Sequence, residues 1–136
     1  MELHERKFAE DMIFVSVFEF NAKGLFRSGT HTGKILRGDD EISMGIIMDD
    51  RGFGIATFTY FPALTKNSSH THRISIVPTP CKFGGVRHWF RCPTCRSEDN
   101  HGLRVTKLFF VEDRIFCRLC GNVSYRSKVH PTQTRY

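Results

Sequence analysis

The sequence predicts a mainly β protein of the small α+β kind: an antiparallel sheet with one short N-terminal helix, followed by a C-terminal four-cysteine ribbon. Three observations lead there. Apolar runs alternating with polar residues, and separated by Gly- and Asp-rich turns, fill the middle of the chain. One stretch near the N-terminus carries helix-start and helix-stop residues. Two Cys-x-x-Cys pairs, Cys92-Pro93-Thr94-Cys95 and Cys117-Arg118-Leu119-Cys120, flank a hairpin-length spacer.

Residues 1–11 are polar and charged, without turn chemistry or an apolar period, and read as a loose arm or frayed helix. A small β-rich domain is expected over residues 12–82. Ile13 to Val15 form an extended lead-in, after which Ser16-Val17-Phe18-Glu19 has the form of a capping box. A helix from about Val17 to Lys23 follows, stopped by Gly24, with Val17, Phe20 and Leu25 facing inward. A strand is the competing reading, because Ile13, Val15 and Val17 alternate. Strands are expected at Thr30–Leu36, Ile42–Met48, Phe53–Phe61 and His72–Val77, and Asp49-Asp50-Arg51-Gly52 is a strong hairpin signal. They make a meander of about four strands with the helix on one face or edge.

Pro78-Thr79-Pro80 closes that sheet and Gly84-Gly85 marks a flexible corner. The ribbon occupies residues 83–128, and residues 129–136 form a tail. Within the ribbon, Val86–Arg91 leads into the first cysteine pair, Leu103–Val111 leaves it, Arg114–Phe116 returns after a Glu112-Asp113 turn, and Asn122–Ser127 exits. The loop 96–102 is polar and expected to be exposed.

Each Cys-x-x-Cys turn aims two sulfurs at one point, and two such knuckles supply the four thiolates of a closed zinc site at Cys92, Cys95, Cys117 and Cys120. Pro93 presets the first turn, and Gly121 is placed where a left-handed residue is often needed. A thioredoxin-like pair lacks its strand–helix–strand setting here, and two disulfides would need an oxidising compartment. Four thiolates leave no position for water, so the expected Zn2+ is structural. A ribbon of this size buries little apolar surface, and zinc would supply on the order of 10 kcal/mol towards folding it.

The 136 residues carry 20 Lys and Arg against 14 Asp and Glu, a net charge of +6. Residues 1–80 hold nine basic and ten acidic side chains; residues 81–136 hold eleven and four. The positive charge therefore belongs to the ribbon half, which points to a polyanionic partner there; a merely solvated basic surface is the alternative. No apolar run is long enough to span a membrane, and the charged opening lacks the core of a signal peptide. With five cysteines, four of them arranged for metal, a reducing, cytoplasmic setting is expected.

The ribbon resembles a family of small bacterial and phage proteins of unassigned function with a Gly-Gly-x-Arg-x-Trp-Phe-x-Cys-Pro-x-Cys pattern, an aromatic-x-Cys-Arg-x-Cys knuckle and a final Tyr-x-Ser. The matching residues are Gly84, Gly85, Arg87, Trp89, Phe90, Cys92, Pro93 and Cys95, then Leu108, Phe109, Phe116, Cys117, Arg118, Cys120, Tyr125 and Ser127. Upstream, Thr79–Phe83 and Gly24-Leu25 match more weakly. The sequence departs from the pattern in an enlarged 96–102 loop and in Gly121, a position often held by His. The resemblance implies a zinc ribbon attached to a small β domain and does not specify an activity.

Basic and aromatic residues interleave through the ribbon, a mixture suited to phosphates and unpaired bases. The candidate nucleic-acid contacts are Arg87, Trp89, Arg91, Arg104, Lys107, Arg114, Arg126 and Lys128, with Trp89 or Phe109 as stacking surfaces if exposed. Packing against the sheet is the alternative role for Trp89, Phe90, Phe116 and Tyr125, and balancing the sulfur charge the one for Arg118. The function expected is nucleic-acid binding, DNA or RNA. The alternative is a protein-binding adaptor or phage-type regulator or inhibitor of a host protein. No membrane or small-molecule partner is expected, and no enzyme, since nucleotide loops, nucleophile motifs and two-metal signatures are missing. His70 and His72 lack further ligands nearby, and the acidic turns at Asp39–Glu41 and Asp49-Asp50 read as solvated; the leftover Cys81 reads as reactive, a spare ligand or buried, burial being the commonest fate of a free cysteine.

Overall fold

A computed structural model of the chain describes residues 7–8, 12–63, 68–95, 103–111, 113–121 and 123–124. Its elements are β1 (Lys7–Phe8), β2 (Ile13–Ser16), α1 (Val17–Ala22), β3 (Gly29–Arg37), β4 (Asp40–Met48), β5 (Gly54–Phe61), β6 (His70–Pro80), β7 (Val86–Arg91), β8 (Arg104–Val105), β9 (Lys107–Val111), β10 (Arg114–Phe116) and β11 (Val123–Ser124). The protein is mainly β, as alternation and turn residues predict.

β3 to β8 form a six-stranded antiparallel sheet in sequence order. Its inner face follows the sequence period: Ile42, Met44, Ile46 and Met48 of β4, Ala56, Phe58 and Tyr60 of β5, Ile74 and Ile76 of β6, and Phe90 of β7 are all buried. The Asp49–Gly52 turn is fixed by the Asp49 carboxylate, which accepts from the backbone N–H of Arg51 (2.8 Å) and of Phe53 (3.0 Å). Those two donors hold its pKa below the ordinary value. Asp49 is thus a turn-forming residue.

β2, β9 and β10 form a three-stranded antiparallel sheet in the order β10-β9-β2. Ile13, Val15, Leu108, Phe110 and Ile115 join the core of the larger sheet. Phe110 meets Phe58 edge-on with centroids 5.7 Å apart and lies 5.6 Å from Tyr60, locking the two layers together. Met12, Phe109 and Phe116 form a second buried cluster with Phe14 and Val111 against it. A parallel pair, β1 with β11, completes the strands described.

β2 runs directly into α1, so both readings of this stretch hold, each for its own part. The Ser16 hydroxyl accepts from Phe18 N–H (3.2 Å), and Gly24, at φ 74°, ends the helix as expected. Glu19 pairs with Lys23 at 3.2 Å. Val17 and Phe20 are buried, and Phe20 lies 5.5 Å from Phe90 and 6.1 Å from Phe58.

Several expectations need correction. The sheet does not close at Pro80: β7 pairs with β6 and β8 with β7, so residue 82 falls inside a hairpin. The expected corner at Cys81–Gly85 is that hairpin's turn, closed by Cys81 N–H to Gly85 O (3.0 Å) and Gly84 N–H to Cys81 O (3.2 Å). Cys81 is exposed, not buried. The strand expected over 103–111 divides at Thr106, whose carbonyl accepts from Val17 N–H (2.9 Å), and its halves serve different sheets. Gly121 is not among the glycines with positive φ; it is needed because a Cβ there would collide with the Phe116 ring. Lys7 and Phe8 are strand, and the rest of the 1–11 arm lies outside the described residues, as do residues 96–102 and 125–136.

Two half-buried histidines lean on rings of the core. His88 stacks on Phe26 with centroids 4.5 Å apart, and His72 faces Phe110. Burial lowers the pKa of both, and for His72 the neighbouring His70 lowers it further. Protonation therefore favours the unfolded chain. Their contribution to stability is full above the ordinary pKa of about 6.5 and is lost as pH falls through the depressed values. NMR titration of the two imidazoles is expected to give midpoints below about 6.5. Phe58→Ala is expected to cost about 3–5 kcal/mol in chemical denaturation, because Phe58 contacts both layers and the helix, whereas Phe53→Ala, at an exposed ring, changes stability by about 0.5 kcal/mol or less.

Candidate metal centre and basic groove

The first knuckle follows β7 and the second follows β10, so the cysteine pairs come from different sheets. Cys92 N–H donates to Leu103 O (2.9 Å), Gly121 N–H to Cys117 O (3.0 Å), and the Thr94 hydroxyl to Ile115 O (2.6 Å), tying the first knuckle to β10. The sulfurs of Cys92, Cys95, Cys117 and Cys120 all lie within 4.8 Å of one another, the only such group of possible metal ligands among the described residues. Cys92–Cys120 is 3.6 Å, Cys95–Cys117 3.3 Å and Cys117–Cys120 3.7 Å. A tetrahedron of thiolates about 2.3 Å from a zinc ion has edges of about 3.8 Å, so the donor set fits a metal ion. Four sulfurs in this arrangement suit zinc or iron.

Cys92 and Cys117 are buried, Cys95 half-buried and Cys120 exposed. Burial pushes the Cys95 thiol up to about 11 and Cys120 further up. For Cys117 burial also raises the pKa, but the backbone N–H of Cys120, the Cys95 thiol and the Leu119 N–H outweigh it, and the net shift is downward. A metal ion binding here must displace the protons that burial holds on Cys95 and Cys120.

The basic candidates separate into groups. Arg87, Trp89 and Arg91 alternate with the inward His88 and Phe90 along β7. Arg91 pairs across the strands with Arg104 of β8. Trp89 is half-buried, its indole N–H donating to the Thr79 hydroxyl (2.8 Å), with the Arg87 guanidinium 4.2 Å above its ring. Lys107 begins β9, 4.9 Å from the centroid of Phe14. A groove of about 520 Å3 beside the cysteine cluster brings together Trp89, Arg104, Lys107, Arg118, Phe18 and Leu119. Arg114 is not among the groove's lining residues; it stands on β10 over Phe116. Arg126 and Lys128 lie outside the described residues.

Phe109 and Phe116 are fully buried, so Phe109 offers no stacking face, and the packing role holds for Phe90 and Phe116. Sequence reasoning missed Phe18, 58% exposed, and Leu119, 74% exposed, at this groove. Leu119 had a visible signal in its place between two ligand cysteines; Phe18 had none. On the outer face of the large sheet, Ile47 and Ile55 are exposed and line an apolar depression of about 510 Å3.

Metal affinity is expected to rise with pH from about 6 to 8, by about tenfold per pH unit for each proton displaced, in competition titrations with a chromophoric chelator. Cys117→Ser should abolish tight binding, while Cys81→Ser leaves it unchanged. No helix of the described residues is long and apolar enough to cross a membrane. The chain matches no protein-family model, no curated protein and no solved structure, so the ribbon pattern remains a resemblance and the site is read from its own geometry.

Proposed function

We propose that the protein is a non-enzymatic, cytoplasmic nucleic-acid-binding protein whose four cysteines hold one structural Zn2+. The observation that carries this reading is the groove beside the cysteine cluster, where Arg104, Lys107 and Arg118 converge with Trp89. Basic side chains neutralise phosphates and aromatic faces receive bases, and a groove offering both suits a polyanion better than an apolar ligand. The ribbon half's excess of eleven basic over four acidic residues would draw such a partner in. Zinc fits an all-thiolate site with no open position, where it would hold the knuckles and supply no reactive group.

A protein-binding adaptor is the second reading. It is favoured by exposed Leu36, Ile47 and Ile55, and by β3, which lies at the edge of the large sheet.

Fluorescence anisotropy of the zinc-loaded protein with labelled single-stranded DNA, duplex DNA and RNA over a salt series separates the two. Three phosphate contacts give a log–log salt slope of roughly −2 on a single strand, and Arg104→Glu is expected to weaken binding and flatten that slope by about 0.7 without unfolding the protein. Arg104 is the cleaner probe than Lys107, which packs against Phe14. Absent binding at low salt would overturn the nucleic-acid reading and leave the adaptor.

A further inference from the structure

Resting on the nucleic-acid reading, we propose that the groove takes single-stranded nucleic acid in particular, with an unpaired base seated against a stack built from Phe18, Arg87 and Trp89. Phe18 sits in the first turn of α1 between buried Val17 and the rest of the helix, yet the residue is 58% exposed. The Arg87 guanidinium lies 4.2 Å from the Trp89 ring centroid and 5.7 Å from that of Phe18, so one cation bridges two aromatic rings from different elements. Trp89 is held by its bond to Thr79 on the neighbouring strand. The stack is thus organised before any partner arrives.

Phe18 borders two depressions, the basic groove of about 520 Å3 and a smaller one of about 250 Å3 that Arg87 also lines. A flat ring placed there offers a face to a planar group, and guanidinium planes and aromatic rings are the two platforms on which unpaired bases stack. Duplex bases have both faces covered by their neighbours and cannot use such a platform. Arg104, Lys107 and Arg118 line the same groove as Phe18, so phosphates flanking the seated base meet positive charge. Contacts to phosphate alone would need neither the exposed Phe18 nor the anchored Trp89.

The test uses the full zinc-loaded chain with labelled oligothymidylate, a duplex of equal length, and heparin as a charge-only competitor. The chain has one tryptophan, so its emission reports on Trp89. Oligothymidylate is expected to bind about tenfold tighter than duplex at equal salt and to alter Trp89 emission, whereas duplex and heparin leave the emission unchanged. Phe18→Ala should weaken the single strand by about tenfold while leaving duplex affinity and the salt slope intact, and Phe18→Tyr should restore it. Phe18→Tyr also guards against misfolding as the cause of a loss. Equal affinity for single strand and duplex, or a Phe18→Ala variant that binds the single strand as the parent does, would overturn this inference and leave nucleic-acid binding standing. Failure of every probe at low salt would overturn both.

Discussion

Four thiols within 4.8 Å of one another are the constraint on which the C-terminal half depends. Neutral thiols make poor hydrogen bonds and thiolates repel, so the cluster would gain its full cohesion from a cation at its centre. Because one knuckle leaves β7 of the large sheet and the other leaves β10 of the small one, such a cation clamps the two layers at one end. The Phe58–Phe110 contact joins the same layers in the interior. A metal ion bound there would add to the closure that the shared apolar core already provides, and would stiffen the basic groove beside the cluster.

What the sequence revealed follows from how many faces each segment buries. β4, with Ile42, Met44, Ile46 and Met48 facing in and Ser43, Gly45 and Ile47 facing out, buries mainly one face, so its alternation was readable. β9 buries Leu108, Phe109 and Phe110 in succession because both its sides are covered, and a run buried on both faces carries no period. The burial of Phe109 was for that reason undecidable from the chain. The knuckles were legible because their spacing is dictated by metal geometry, which tolerates little variation. Gly84-Gly85 was legible as a turn but not as a hairpin, since the pairing of β6 with β7 depends on partners outside the motif. At Gly121 the ring of Phe116, not the backbone angle, excludes a side chain.

The charge distribution and the fold bear on one another. Arg91 and Arg104 stand opposite on neighbouring strands, an arrangement that raises local positive potential at some cost to the sheet. Arg118, which sits inside the second knuckle, lines the groove together with Arg104. Placing these cations on strand ends fixed by the cysteine cluster limits their freedom, so less ordering is needed when an anion arrives.

The pairing of β2 with β9 also sets an order of assembly. The β3–β6 meander is made of neighbours in sequence and can form while the chain is still being synthesised, but Ile13 and Val15 find their partners only once Leu108 and Phe110 have left the ribosome. For most of translation the apolar N-terminal strand waits unpaired beside a half-built sheet. The apolar side chains of β2 are thus open to aggregation, or to a chaperone, until β9 is made.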